Sequence, residues 1–349
     1  MPDFRIESKS SRELIRGSGL PVVIYGMGNG ADKIIDEFTS LGIEIAGVSA
    51  SDSFVRGQIF RGFKVKKLSK FEGDFIVAPA FGTSVESVMN HIINLSGKYR
   101  VIYPVVPVAG NEILTDELIE REEDKINRAY RLFSGRSAEV FEKCFNFIYS
   151  GDLNLLLEAT DGKDEIFNSF LRLPGRGAYI DVGAYRGETV EEYLRYTHGK
   201  HGKIIALEPD VKSCEKARTK FTDTDITVLN KAAGDTDGTV LFESLAGRQS
   251  AVSDKGSPVE CVKIDTLCEN IETEYIKMDT EGFEIPAVNG ATKTIKRDKP
   301  ALNIALYHRI GDLWEIPLLI NEICPGYRFE IRHHPYFPCW DTNLYCKYI

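Results

Sequence analysis

From Ala178 onward the chain alternates short apolar runs with amphipathic stretches, and three of those runs carry or meet an acidic residue near their ends: Asp181, Glu208 and Asp279. Strand-then-helix alternation of this kind requires a parallel sheet with helices laid on its faces. The expected strands are Ala178–Val182, Lys203–Leu207, Ile226–Leu229, Tyr275–Met278 and Ala301–Tyr307. The expected helices are Glu188–Tyr196, Lys212–Phe221, Ile285–Ile295 and Leu313–Ile323. Val240–Glu243 and Val259–Ile264 read as further extended pieces. Tyr327–Arg332 and Leu344–Tyr348 are joined without a helical pattern, so they are expected to pair antiparallel.

The preceding half has two characters. Residues 1–110 read as a small Rossmann-like α/β domain: Pro21–Tyr25 runs into Gly26-Met-Gly-Asn-Gly30, and a helix follows with Ile34, Ile35 and Phe38 on one side. Strands at Ile43–Val48, Asp74–Ala78 and Arg100–Pro104, with a helix at Val85–Leu95, complete it. Residues 111–170 read as a helical connector. Its acidic run, from Glu112 to Asp124, is a solvated helix face, and Ala138–Tyr149 is an amphipathic stretch packed against the last domain, residues 171–349.

Among the 349 residues the formal net charge is −9, which argues against a nucleic-acid surface. Arg56, Arg61, Lys64, Lys66, Lys67 and Lys70 form a basic stretch that reads as a solvated edge. No apolar run approaches the roughly 20 residues of a membrane span. The polar start does not read as a secretory signal. Seven scattered cysteines with no Cys-x-x-Cys pair point to a reducing, cytoplasmic setting.

Three segments carry chemistry. In Tyr179-Ile-Asp-Val-Gly-Ala-Tyr-Arg-Gly187, a buried strand enters a glycine turn and then a helix, whose first amides are free donors. A structural turn would use the same glycines. In Ile205-Ala-Leu-Glu208-Pro-Asp210, an acid stands at the tip of the second strand, where open α/β sheets meet ribose hydroxyls. NAD and S-adenosylmethionine share that requirement, and a helix-capping glutamate is the plainer alternative. Tyr275-Ile-Lys-Met-Asp279-Thr-Glu281-Gly-Phe-Glu284 sets two carboxylates two residues apart just beyond a strand, able to hold a cationic cofactor or to act on a hydroxyl proton.

In this order, together with Asn230-Lys-Ala-Ala-Gly-Asp, Leu306-Tyr-His308-Arg and Asp312-Leu-Trp-Glu-Ile-Pro317, these segments resemble the FkbM-type methyltransferases over about Ala178–Ile349. The resemblance implies a class I methyltransferase sheet of seven strands with the last pair antiparallel, and S-adenosylmethionine as cofactor. It implies that Asp181, Gly183, Ala184, Tyr185 and Gly187 meet the methionine part, Glu208 and Pro209 the ribose, and Asn230 and Ala232 the adenine. Asp279 and Glu281 would face the methyl donor or acceptor. It also implies O-methylation of a saccharide or related small hydroxylated metabolite.

An alcohol is a poor nucleophile, so a positioned base is expected. His308, at a strand end, is the first choice and Asp279 the second; His333 and His334 stand on the same rim. No metal is assigned, because Asp279 and Glu281 lack a clear third ligand in the sequence. The N-terminal Gly26–Ala31 turn resembles a dinucleotide fingerprint with alanine for the third glycine. Its second strand ends Ser49-Ala-Ser-Asp52 without an acid at the tip, which counts against nicotinamide. A nucleotide-sugar site, a docking role or self-association stays open for that domain. The rival functions are a nicotinamide- or nucleotide-sugar-dependent enzyme using the first domain, and a non-catalytic binding protein.

Overall fold

The computed structural model describes residues 4–6, 8–243, 251–252 and 256–349. Near the N-terminus, β1 (Val22–Tyr25), β2 (Ile45–Ser49), β3 (Ile76–Pro79) and β4 (Arg100–Val101) form an all-parallel sheet in the order β2-β1-β3-β4. β1 and β3 are buried along their whole length, as strands covered on both faces must be. The helices are α1 (Ser11–Ser18), α2 (Asn29–Ser40) and α3 (Glu86–Ser96), and α2 buries Ala31, Ile34, Ile35 and Phe38 at helical spacing. β2 starts later than its apolar run because Ile43 N is used to close α2, donating to Phe38 O at 2.9 Å. The basic stretch holds a short hairpin, Ile59–Phe60 against Phe63–Lys64, with Arg61 paired to Asp36 and Lys67 to Asp52 at the surface.

The connecting segment contains α4 (Asp116–Tyr130), α5 (Arg136–Ser150) and α6 (Leu153–Ala159), then a π-helical turn at Ile166–Leu171. Phe141 and Phe145 of α5 sit in one aromatic cluster with Phe133 and Trp314. The acidic face of α4 stays wet, with Arg121 paired to Glu112 and Arg128 to Asp124.

The large sheet has seven strands: β5 (Ala178–Val182), β6 (Ile204–Leu207), β7 (Thr227–Leu229), β8 (Thr273–Met278), β9 (Ala301–Ala305), β10 (Tyr327–His333) and β11 (Thr342–Tyr348). Their order is β10-β11-β9-β8-β5-β6-β7, with only β11 running against its neighbours. Helices α7 (Glu188–Tyr196), α8 (Val211–Lys220), α9 (Glu284–Asn289), α10 (Thr292–Asp298) and α11 (Asp312–Ile323) make the connections. This is the α/β class expected, with the antiparallel final pair. The single helix expected over 285–295 is broken at Gly290, where a β-carbon would lie 1.9 Å from Gly234 O. The extended pieces at 240–243 and 259–262 belong to a separate small sheet with Ala232–Ala233 and Ala251–Val252.

The strand order reverses between β5 and β8, so their carboxyl ends diverge and leave a crevice. The loop after β3 reaches that crevice: Thr83 and Phe337 exchange backbone hydrogen bonds of 2.7 and 2.9 Å, and Gly82 lies where any β-carbon would strike the Trp340 ring. Among the described residues, no helix is long and apolar enough to cross a membrane.

Candidate active site

A cavity of about 320 Å³ lies at the carboxyl ends of β5, β6, β8 and β9. Its walls include Gly183, Ala184, Tyr185, Glu208, Pro209, Ala232, Asp279 and Glu281, so eight of the residues singled out in the sequence converge on one space. Asp181, Gly187, Asn230 and His308 support those walls from behind.

The turn after β5 is shaped by close packing. Gly183 has φ +81°, and a β-carbon there would stand 1.8 Å from the carbonyl oxygen of Asp279. That glycine therefore lets the β5 and β8 turns touch, as well as leaving backbone open to the cavity. Gly187, with φ +86°, starts α7 against the Phe221 ring, 2.4 Å from where its β-carbon would be. Gly187 is not among the residues that line the cavity. Asp181 is wholly buried beneath the turn; its Oδ2 accepts from Thr189 Oγ1 and its Oδ1 has no hydrogen-bond partner. Burial raises its pKa, with the Lys277 charge acting the other way.

At the tip of β6, Glu208 accepts from Tyr185 N at 2.7 Å and Asp210 N at 2.8 Å. Burial pushes its pKa up to about 7, with those two amides opposing. Asn230 spends its side-chain amide on Glu208 O and Pro209 O, both at 2.9 Å, so it fixes this tip and leaves Lys231–Ala233 to form the wall. Phe242 and Phe283 add apolar surface beside Ala232 and Ala233.

Sequence reasoning missed a polar row across the sheet. Asp181, Lys277 and Asn303 lie in register on β5, β8 and β9, and Lys277 and Asn303 both line the cavity. A lysine between Ile276 and Met278 on an interior strand was the available signal, since buried lysines need partners. Lys277 Nζ stands 3.3 Å from Asp279 Oδ2, and Tyr307 donates to Asp279 Oδ1 at 2.9 Å. Against the cost of burial, the Lys277 and His308 charges hold Asp279 at about 2, which makes it a weak proton acceptor. Glu281 adopts φ +56°, an uncommon conformation for a glutamate, and burial raises its pKa.

His308, the first expectation for a general base, lies behind the cavity wall. Its side chain is fully buried and does not line the cavity. Its Nδ1–H donates to Glu284 Oε1 at 2.8 Å, and its Nε2 stands 3.4 Å from both Asp279 Oδ1 and Glu281 Oε2. Burial alone would lower its pKa, but the Glu284 and Glu281 carboxylates hold it well above the usual imidazole value. Asp279 and Glu281 thus stand between its Nε2 and the cavity. His333 and His334 are likewise buried, bonded to Thr342 Oγ1 and to Asp161 O and Tyr345 OH, and outside the lining.

The opposite rim comes from distant segments. Tyr307, Tyr336, Trp340 and Asp341 line it, joined by Ser84 and Val108 from the N-terminal half. Ala109 N donates to His308 O at 2.9 Å, which seats the 107–110 segment on the same turn. The N-terminal glycine turn is closed instead: a β-carbon on Gly30 would stand 2.5 Å from Ala80 O, and one on Gly26 2.9 Å from Phe81.

A seven-stranded sheet with one reversed strand and a crevice at the β5/β8 switch point is the architecture of Rossmann-like methyltransferases. Residues 181–343 match the profile of the Methyltransferase FkbM domain. The fold is shared with methyltransferase FkbM from Methylobacillus flagellatus KT, at 21% identity and TM-score 0.70, over 98% of this chain and 94% of that one. Aeropyrum pernix fibrillarin, solved with S-adenosyl-L-methionine, matches at 13% identity and TM-score 0.32, over 50% of this chain and 68% of that one. An S-adenosylhomocysteine-bound Podospora anserina methyltransferase matches at 9% identity and TM-score 0.30, over 69% of this chain and 99% of that one. No curated protein matches the chain in sequence.

Proposed function

We propose that the cavity binds S-adenosylmethionine and that the chain transfers its methyl group to a hydroxyl of a saccharide or similar small metabolite. The donor set supports the cofactor. Glu208, fixed by two backbone amides, keeps carboxylate lone pairs for the two ribose hydroxyls. Ala232, Ala233, Phe242 and Phe283 offer an apolar slot for a purine, and Gly183–Tyr185 a close backbone wall for the amino-acid end. The bound sulfonium supplies an already activated methyl group, so the residues serve mainly to align and to desolvate.

Asp279 and Glu281 receive the acceptor hydroxyl; as its oxygen bonds the methyl carbon and the sulfur–methyl bond breaks, the released proton passes to Glu281, whose carboxyl burial raises above its usual value, while Lys277 and Tyr307 fix the Asp279 carboxylate. His308 acts behind them as a positioning residue. Tyr336 and Trp340, with ring centroids 5.6 Å apart, give the acceptor a face to lie on, and Asp341 gives it a hydroxyl partner. Asp181 and Gly187 hold the cofactor turn. Residues 1–110 and 111–170 act as docking and bracing domains for the catalytic domain, 171–349, with Ser84 and Val108 closing the acceptor side. Seven free, buried thiols support a reducing, cytoplasmic setting.

The observation that carries this reading is Glu208 opening onto the same cavity as Asp279 and Glu281. The test is transfer of isotope-labelled methyl from S-adenosylmethionine to a panel of mono- and oligosaccharides, with the product's ether linkage read by mass spectrometry. Label on nitrogen or carbon, or none with any hydroxylated acceptor, would remove the hydroxyl assignment.

A further inference from the structure

At the carboxylate end of the cavity, one histidine has one ring nitrogen bonded and the other set between two carboxylates. His308 is wholly buried, and its Nδ1 is committed to Glu284 Oε1 at 2.8 Å. That bond fixes the ring and directs Nε2 between Asp279 Oδ1 and Glu281 Oε2, each 3.4 Å away. Nε2 has no hydrogen-bond partner, and neither has the buried Glu284 Oε2. Donors in adjacent positions around a divalent cation, each at 2.1–2.4 Å from it, stand roughly 3.0–3.4 Å apart. The separation of Nε2 from each of the two carboxylate oxygens is that of neighbouring ligands around such a cation.

The surrounding groups agree. Glu284, itself held by Thr280 N at 2.7 Å, stands to His308 as the orienting carboxylate stands to a metal-bound histidine. Lys277 engages the other oxygen of Asp279, Oδ2, and leaves Oδ1 to Tyr307 and to the shared point. Asp279 and Glu281 line the cavity, so the remaining coordination positions open toward the acceptor. Asp279, Glu284 and His308 bring one donor atom each within 4.8 Å of the others, a set that holds two of the three ligands proposed below and the carboxylate that orients the histidine.

We propose that Asp279, Glu281 and His308 bind a divalent cation of the magnesium or manganese class, with Glu284 orienting the histidine. The cation's role rests on the methyl-transfer reading: placed there, it would hold the acceptor oxygen and increase the acidity of its hydroxyl. The site itself does not depend on that reading.

The test uses the full chain, stripped with EDTA and titrated with Mn²⁺, with free Mn²⁺ followed by electron paramagnetic resonance. S-adenosylmethionine affinity is measured on the same samples. One Mn²⁺ per chain is expected, with binding at least about tenfold weaker in Glu281→Gln and in His308→Ala. Glu281→Gln keeps shape and volume, so it remains informative if His308→Ala fails to fold. No Mn²⁺ binding by a sample that binds S-adenosylmethionine overturns the cation site alone. So does binding that Glu281→Gln leaves unchanged. Failure to bind S-adenosylmethionine while Mn²⁺ binds overturns the methyl-transfer reading and leaves the site standing.

Discussion

The chain contains two strand–glycine turn–helix units, and they are built for different ends. At Gly26 and Gly30 the places of the missing β-carbons are filled by the neighbouring loop, Ala80 and Phe81, while Gly28 between them stays open, and the second strand ends on a buried serine, Ser49. At Gly183–Gly187 the glycines also serve close packing, against Asp279 O and the Phe221 ring, but the adjacent strand tip carries Glu208 and a cavity opens beside it. Glycine spacing thus reports how tightly a strand passes into a helix. The acid at the next strand tip reports whether a ribose can be met there.

Substitution at the turns separates the two most sharply. Gly183→Ala sets a β-carbon into a backbone carbonyl at a left-handed φ, and should cost about 3 kcal/mol or more, read as the urea midpoint. Gly28→Ala, with nothing within 4 Å of the new carbon, should change stability by less than about 0.5 kcal/mol. Equal losses in both would dissolve the contrast.

At the strand tips, Glu208→Gln should weaken S-adenosylmethionine binding about thirtyfold, near 2 kcal/mol, because a charged acceptor of two hydroxyls is lost. Asp52→Asn, at the exposed end of the N-terminal unit, should leave that affinity unchanged.

Glu208 also gives the first unit's counterpart a pH signature. Its carboxyl is raised from 4.5 to about 7 in the folded chain. Between those values the folded protein keeps a proton that the unfolded chain has lost. The contribution to stability is complete below pH 4.5 and disappears as pH rises through about 7. Thermal or urea unfolding should therefore show the wild type losing on the order of 2 kcal/mol relative to Glu208→Gln across that window. A flat difference would mean that Glu208 is ionised throughout.

The smallest effect concerns the N-terminal contribution to the acceptor side. Trp340→Ala removes the ring that packs on Gly82, and should raise the acceptor KM about tenfold while cofactor affinity holds. A fall in cofactor affinity of the same size would place Trp340 in the other half of the cavity.

The alternation after Ala178 made the large sheet legible, down to its antiparallel final pair, because buried parallel strands write themselves as short continuous apolar runs. Asp181, Glu208 and Asp279 were legible for the same reason: each interrupts or ends such a run. Asn230 and Gly187 were legible as residues but their contacts were not, since whether a residue lines a cavity or braces a turn depends on partners such as Glu208 O and Pro209 O for Asn230. Tyr307, Trp340, Ser84 and Val108 were not legible. They meet through packing between segments far apart in the chain, and no local pattern encodes that. His308 was found for its chemistry, but its burial among three carboxylates belongs to the fold.

The central claim is that the Glu208 cavity, and not the N-terminal turn, takes the nucleoside cofactor. Calorimetric titration of the full chain with S-adenosylmethionine and, separately, with NADH tests it directly. The account predicts one equivalent of S-adenosylmethionine, weakened by Glu208→Gln and indifferent to Gly28→Ala, and no heat from NADH. NADH binding that Gly28→Ala abolishes, with no response to S-adenosylmethionine, would contradict it.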